Sequence, residues 1–150
     1  MMFVTHLSFA LFLGLMILRY VDLPVNLAVF LLLLLLGSLA PDIDSSTSFL
    51  GRKTKPVSWL FHHRGAVHSF LAMMVFTAIL LLITPNFYYA LAFVLGYLSH
   101  LLMDSVTPTG VPFLWPSKKR MKGKIRTTGM IDVMILVIFL ATDIMLVLYL

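Results

Sequence analysis

Five stretches of this chain are long and apolar enough to be read as membrane helices: about 3–21, 25–40, 67–84, 87–104 and 129–150. A helix crossing a bilayer needs roughly 17–25 mainly apolar residues. The second stretch, VNLAVFLLLLLLGSLA, is slightly short for this and predicts a thin or tilted placement. Only Thr84-Pro85-Asn86 separates the third from the fourth, which predicts a tight turn. Charged residues make up 11% of the chain and apolar ones 61%, well above the 45–50% or so of soluble domains. The expected fold is therefore an all-α integral membrane protein, a single domain over 1–150 with about five transmembrane helices. No basic residue precedes the first apolar stretch and no small-residue cleavage pattern follows it, so it reads as a span and not as a cleaved signal. There is no internal repeat and no heptad seam.

Two longer loops, 41–66 and 105–128, punctuate the spans. The first holds Arg52, Lys53, Lys55 and Arg64; the second holds Lys118, Lys119, Arg120, Lys122, Lys124 and Arg126. With five spans, both loops and the N-terminus share one side, and that side carries every basic residue except Arg19. The positive-inside rule then predicts a multi-pass protein of the inner (plasma) membrane, with N-terminus and loops cytoplasmic and the C-terminus outside. Glycines, prolines and aromatics, including Trp59 and Trp115, predict that the two cytoplasmic loops are structured. The net charge of +5 fits topology and attraction to anionic lipid. The run KKRMKGK has no interleaved aromatics, so nucleic acid is not an expected partner.

This topology, drawn from basic residues alone, delivers all five histidines to one membrane face. His6 lies one turn into the first span; Asp42 and Asp44 follow the second; His62, His63 and His68 sit at the entrance to the third; His100 and Asp104 lie near the end of the fourth. His100 and Asp104 are four apart, so on a helix they share a face with Cβ atoms roughly 6 Å apart, a spacing suited to two ligands of one metal. Asp42 and Asp44 flank one residue and can reach a shared centre. Cysteine and glutamate are both absent, so any metal would be held by imidazole and aspartate. That donor set suits zinc first, with manganese or iron as alternatives. The candidate ligands exceed one tetrahedral shell, and two ions would use them more fully. A metal here would activate water at neutral pH, a spare Asp or His could act as general base, and the planar fork of Arg64 could clamp a phosphate.

The remaining acids have simpler readings. Arg19, Asp22 and Asp143 lie toward the other membrane face, where an Arg19–Asp143 pair is expected. Asp132 starts the fifth span, where an acid suits the helix dipole; membership of the metal shell is its alternative reading.

The order Thr5-His6, PDID (41–44), HRGAVHS (63–69), GYLSHLLMDSVTPTGV (96–111) and LWP (114–116) resembles the family of inner-membrane metal-dependent hydrolases described in enteric bacteria as LexA-binding and DNA-damage-linked. The resemblance covers most of the chain through separated motifs in order. More distantly, the His/Asp pattern looks like the zinc-dependent phospholipase C group, although this chain has no glutamate and a membrane scaffold. What the resemblance implies is a hydrolase whose ligands are His6, Asp42, His63, His68, His100 and Asp104, with Asp44 a ligand or base. His62 falls outside the motif.

Three functions follow as expectations. The first is a metal-dependent phosphoesterase acting on a lipid or lipid-linked phosphate at the cytoplasmic leaflet, with zinc-dependent ester or amide hydrolysis as a variant. The second is a regulator, clipped by a metal, that recruits a cytoplasmic protein partner. The third, a divalent-metal transporter, would place its ligands near the bilayer midplane, and here they gather at one edge.

Overall fold

The computed structural model describes residues 1–44, 65–117 and 119–149. Among them are five α-helices: α1 (Phe3–Tyr20), α2 (Leu27–Leu39), α3 (Phe70–Ile83), α4 (Phe87–Ser105) and α5 (Met130–Tyr149). Short 3₁₀ turns at Ala40–Asp44 and Ala66–His68 extend α2 and precede α3. The described residues contain no β-strand, only an isolated antiparallel bridge between Val111 and Met121. The described residues are thus all-helical in their regular structure.

Three helices, α1, α4 and α5, are long and apolar enough to cross a membrane. The other two expected spans are shorter than the sequence suggested. α2 has 13 α-helical residues, continued by the 3₁₀ turn so that the apolar helix runs Leu27–Ile43, and α3 has 14; at about 1.5 Å per residue both fall short of the ~30 Å hydrocarbon core. The third span starts at Phe70 and not at 67, because Ala66–His68 is a 3₁₀ turn and Ser69 is extended. Ser69 caps the helix by accepting from the Ala72 N–H, which satisfies one of the unpaired N–H groups at its start.

α2 and α4 pack backbone to backbone. A Cβ on Gly96 would stand 1.9 Å from the Leu34 carbonyl oxygen, and one on Gly37 would stand 2.2 Å from that of Phe93. Small residues allow this in membrane helices, where lipid tails are as apolar as the side chains and close packing supplies the attraction. Ala10, Phe30, Leu34 and Ala92 form a buried cluster where α1 joins this pair.

α5 is held differently. Its buried residues are both aspartates, Asp132 and Asp143. Asp132 accepts from the Met2 N–H (3.0 Å), the Thr5 hydroxyl (2.9 Å) and the Thr128 N–H (2.9 Å). Asp143 accepts from the Ser8 hydroxyl at 2.8 Å. This corrects the expected Arg19–Asp143 pair: no such ion pair occurs among the described residues, and Asp143 faces Ser8 inside the α1–α5 seam. The expected place of Asp132 at the start of a helix holds, but its hydrogen bonds are to α1 and to Thr128.

The segment after α4 is ordered by backbone pairing. Val111 and Met121 exchange hydrogen bonds at 2.9 and 3.0 Å, while Gly123 and Ile125 donate to Thr107 and Val106. Gly110, at φ +65°, supplies the left-handed turn that lets the segment fold back. Phe113 of this loop accepts from the Phe70 N–H, fastening the loop to the start of α3.

Candidate metal centre

The first turn of α1, the turn after α2, the turn before α3 and the last turns of α4 meet at one end of the helix bundle. Each brings a nitrogen or carboxylate donor. His6 Nε2 lies 3.3 Å from Asp104 Oδ1. His68 Nε2 and His100 Nε2 each lie 3.7 Å from Asp104 Oδ2. His100 Nε2 lies 3.8 Å from Asp42 Oδ1. The donors fall into two overlapping sets, His6–His100–Asp104 and Asp42–His68–His100, each with ligand atoms within 4.8 Å of one another.

These separations lie at or slightly above those of donors sharing a small cation. Donors placed 2.0–2.2 Å from a tetrahedral zinc stand about 3.3–3.6 Å apart. Ordinary hydrogen bonds between the same groups would be shorter, near 2.7–2.9 Å. The His6 and His100 rings stack at 4.0 Å and 10°, and the His68 ring meets His100 edge-on at 5.4 Å. The amino group of Met1 stands 2.8 Å from Asp104 Oδ1.

The tautomer of His100 follows from its other partner. Its Nδ1 lies 2.6 Å from the Ser38 carbonyl. A carbonyl can only accept, so Nδ1 carries the proton and Nε2 presents its lone pair. Nε2 is buried with no hydrogen-bond partner among the described residues, as is His6 Nδ1. Buried nitrogens left without a hydrogen bond are costly; a metal would satisfy His100 Nε2. The Nδ1–H to carbonyl bond is the usual support behind a metal-bound imidazole. It depends on the glycine contact described above, which brings the end of α2 within reach of α4.

Burial is nearly complete: His6, His68, His100 and Asp104 are at most 2% exposed. The Asp42 side chain retains 20% and forms the open side. Asp104 is anchored at its backbone, whose carbonyl accepts from the Thr107 hydroxyl and N–H. The Tyr97 hydroxyl donates to the Val67 carbonyl, steadying the turn that carries His68.

Of the seven ligands expected from sequence, the structure gathers His6, Asp42, His68, His100 and Asp104. Asp44 closes the Ala40–Asp44 turn. Its side chain lies outside the described residues, as do His62, His63 and Arg64. Asp132 has its own hydrogen bonds and belongs to neither donor set. The Ser38 carbonyl was not anticipated, since any residue type offers a carbonyl. Gly37 and Gly96 were the available signal that two backbones meet there.

A family model described as YdjM inner membrane protein matches residues 1–149, and the chain belongs to that family. The inner membrane protein YdjM of Escherichia coli is 43% identical over 97 residues, 59% of this chain and 50% of the relative. The protein YvsG of Bacillus subtilis is 36% identical over 90 residues, 57% of this chain and 56% of that one. The chain spans about half the length of the curated relatives it matches. No solved structure matches.

Proposed function

We propose that this member of the YdjM inner membrane protein family is a metal-dependent hydrolase, with a phosphoester of a lipid or lipid-linked substrate cleaved at the cytoplasmic leaflet. The observation that carries the reading is the set of donor separations of 3.3–3.8 Å around Asp104 and His100. His6, His68, His100, Asp42 and Asp104 would hold the ion, zinc by donor type; the two donor sets allow a second ion. A divalent metal supplies a lowered pKa for water and a Lewis acid for a phosphoryl oxygen.

The chain's own residues do the rest. His100 is fixed in one tautomer by Ser38, so the donor set is organised before substrate arrives. Asp42, the most exposed donor, marks the side from which substrate approaches. Asp44, two residues on, is the candidate base that takes a proton from the attacking water. Arg64 is the candidate partner of the phosphate. The position of the cluster at the end of the bundle supports a substrate at headgroup depth, a lipid phosphate, and weighs against transport across the midplane.

The burial of four of the five donors supports a second reading, a structural metal clip in a regulator that recruits a cytoplasmic partner. The resemblance to LexA-binding, DNA-damage-linked proteins favours the same reading. One experiment separates the two. Protein purified from membranes is analysed for bound metal and assayed on a panel of lipid phosphoesters. The hydrolase reading expects stoichiometric metal and turnover, both lost in His100→Ala and Asp104→Ala. Stoichiometric metal without turnover on any ester, in a protein that still complements a knockout, favours the clip. A stable protein without metal sinks both.

A further inference from the structure

A groove of about 460 Å³ runs beside the cluster, between the N-terminal half of α3 and the two 3₁₀ turns. Ile43, Val67, Leu71, Val75, Phe76 and Trp115 are among the residues that line it, and among the described residues no charged side chain does. Its walls are continuous with the donor set: Ile43 follows Asp42, and Val67 precedes His68. We infer that the groove receives one acyl chain of an anionic phospholipid and holds the lipid's phosphate against the cluster. The inference rests on the hydrolase reading for the lipid being a substrate, and it names that substrate's class.

Three observations select this occupant. The volume is that of a small-ligand site, roughly 300–1,000 Å³, yet the lining side chains among the described residues are all apolar apart from the Trp115 ring nitrogen. The groove is open along α3, where Leu71 and Val75 are 48% and 51% exposed on a helix with no buried residue, so a chain can enter sideways from the leaflet. Trp115 stands 42% exposed at the groove, and Lys119, Arg120 and Lys122 follow it on the same exposed loop. An apolar lining, a half-exposed tryptophan and positive charge following it in the chain match the tail and headgroup of an anionic lipid. Hydrocarbon gains little by leaving one apolar phase for another. The groove therefore acts by position: it keeps the ester beside Asp42 and His68.

The test is photolabelling. The protein is reconstituted in phosphatidylcholine nanodiscs containing a minor fraction of phosphatidic acid with a mid-chain diazirine, and adducts are mapped by mass spectrometry. Ile138, Ile144 and Met145 of α5 are 58%, 62% and 59% exposed, at least as open to bulk lipid as Leu71 and Val75. Labelling concentrated severalfold on Leu71, Val75 and Phe76 supports the groove. So does a fall to the α5 level when Ala72→Phe or Val75→Phe fills it with bound metal unchanged. Even labelling of α3 and α5 in the unsubstituted protein overturns it, as does an excess that both filling variants leave intact. Metal content and p-nitrophenyl phosphate turnover are measured on the same preparation. Their absence removes the hydrolase reading alone, since labelling decides the groove independently of turnover.

Discussion

The Nδ1–H of His100 donates to the carbonyl of Ser38 across 2.6 Å, and this bond links helix packing to the chemistry of the cluster. Ser38 lies in the last turn of α2, where carbonyls have no partner within the helix. His100 lies on α4. The two meet because Gly37 and Gly96 let the backbones touch.

Gly96→Ala should therefore damage both stability and metal binding. Its Cβ would meet the Leu34 carbonyl at 1.9 Å, and backbone cannot swing aside. We expect a loss of about 1–3 kcal/mol from overpacking. Metal affinity should fall about 10–100-fold as His100 loses its support. Gly14→Ala is the control: its Cβ would meet the end of the Leu31 side chain at 2.7 Å, which can rotate away. Thermal unfolding in detergent and metal titration should separate the two variants.

Replacing a donor should release the metal. His6→Ala, His68→Ala, His100→Ala and Asp104→Ala are expected to lower bound metal below one equivalent by elemental analysis. Asp143→Asn, in the α1–α5 seam, should keep the full amount. Equal metal content across all five would refute the assignment of the cluster.

Chelation should lower the melting temperature if the cluster binds metal. A ligand at 100 times its Kd stabilises by about 2.7 kcal/mol, so stripped protein should melt earlier and recover on addition of zinc. A melting curve indifferent to zinc would count against the site.

Asp132 accepts three hydrogen bonds, two of which, from Met2 and Thr5, fasten α5 to the start of α1. Thr5→Val removes one of them and should cost about 1–3 kcal/mol. Thr128 donates its N–H from a left-handed backbone at φ 60°, which a β-branched residue adopts only with strain. Thr128→Gly keeps the donor, and we expect stability to hold or rise. A marked loss with Thr128→Gly would show that the strain has been misread.

Deeper in the seam, Ser8 and Asp143 should be coupled and Arg19 should not. A double-mutant cycle with Ser8→Ala and Asp143→Leu is expected to return about 0.6 kcal/mol, the usual scale for hydrogen bonds between membrane helices. The cycle of Arg19→Gln with Asp143→Leu should return nothing measurable. The opposite result would restore the ion pair that sequence order suggested.

Much of the candidate site was legible because it depends on spacing and on side. Helical periodicity alone places His100 and Asp104 on one face. The parity of the apolar runs, with the basic loops, puts His6, Asp42 and His68 at the same end as that pair. The lengths of α2 and α3 were harder to read, since an apolar run does not mark where a cap or a 3₁₀ turn interrupts it. Asp143 was assigned to Arg19 because opposite charges attract. The packed seam gave it Ser8, since a contact depends on which faces of α1 and α5 meet and not on nearness to the same membrane surface.

By itself, then, the sequence determined a helical membrane protein, the absence of thiolate ligands and the end of the bundle where His6, His68 and His100 collect. Apolar run length, residue type and chain parity fix these without reference to any contact. Only the tertiary structure decided that Asp104 stands among three imidazoles, that a carbonyl of α2 sets the tautomer of His100 and that an apolar groove adjoins the donors. Those facts rest on a backbone approach at Gly37 and Gly96 too close for any Cβ and on where a 3₁₀ turn replaces helix, details that no one-dimensional pattern encodes.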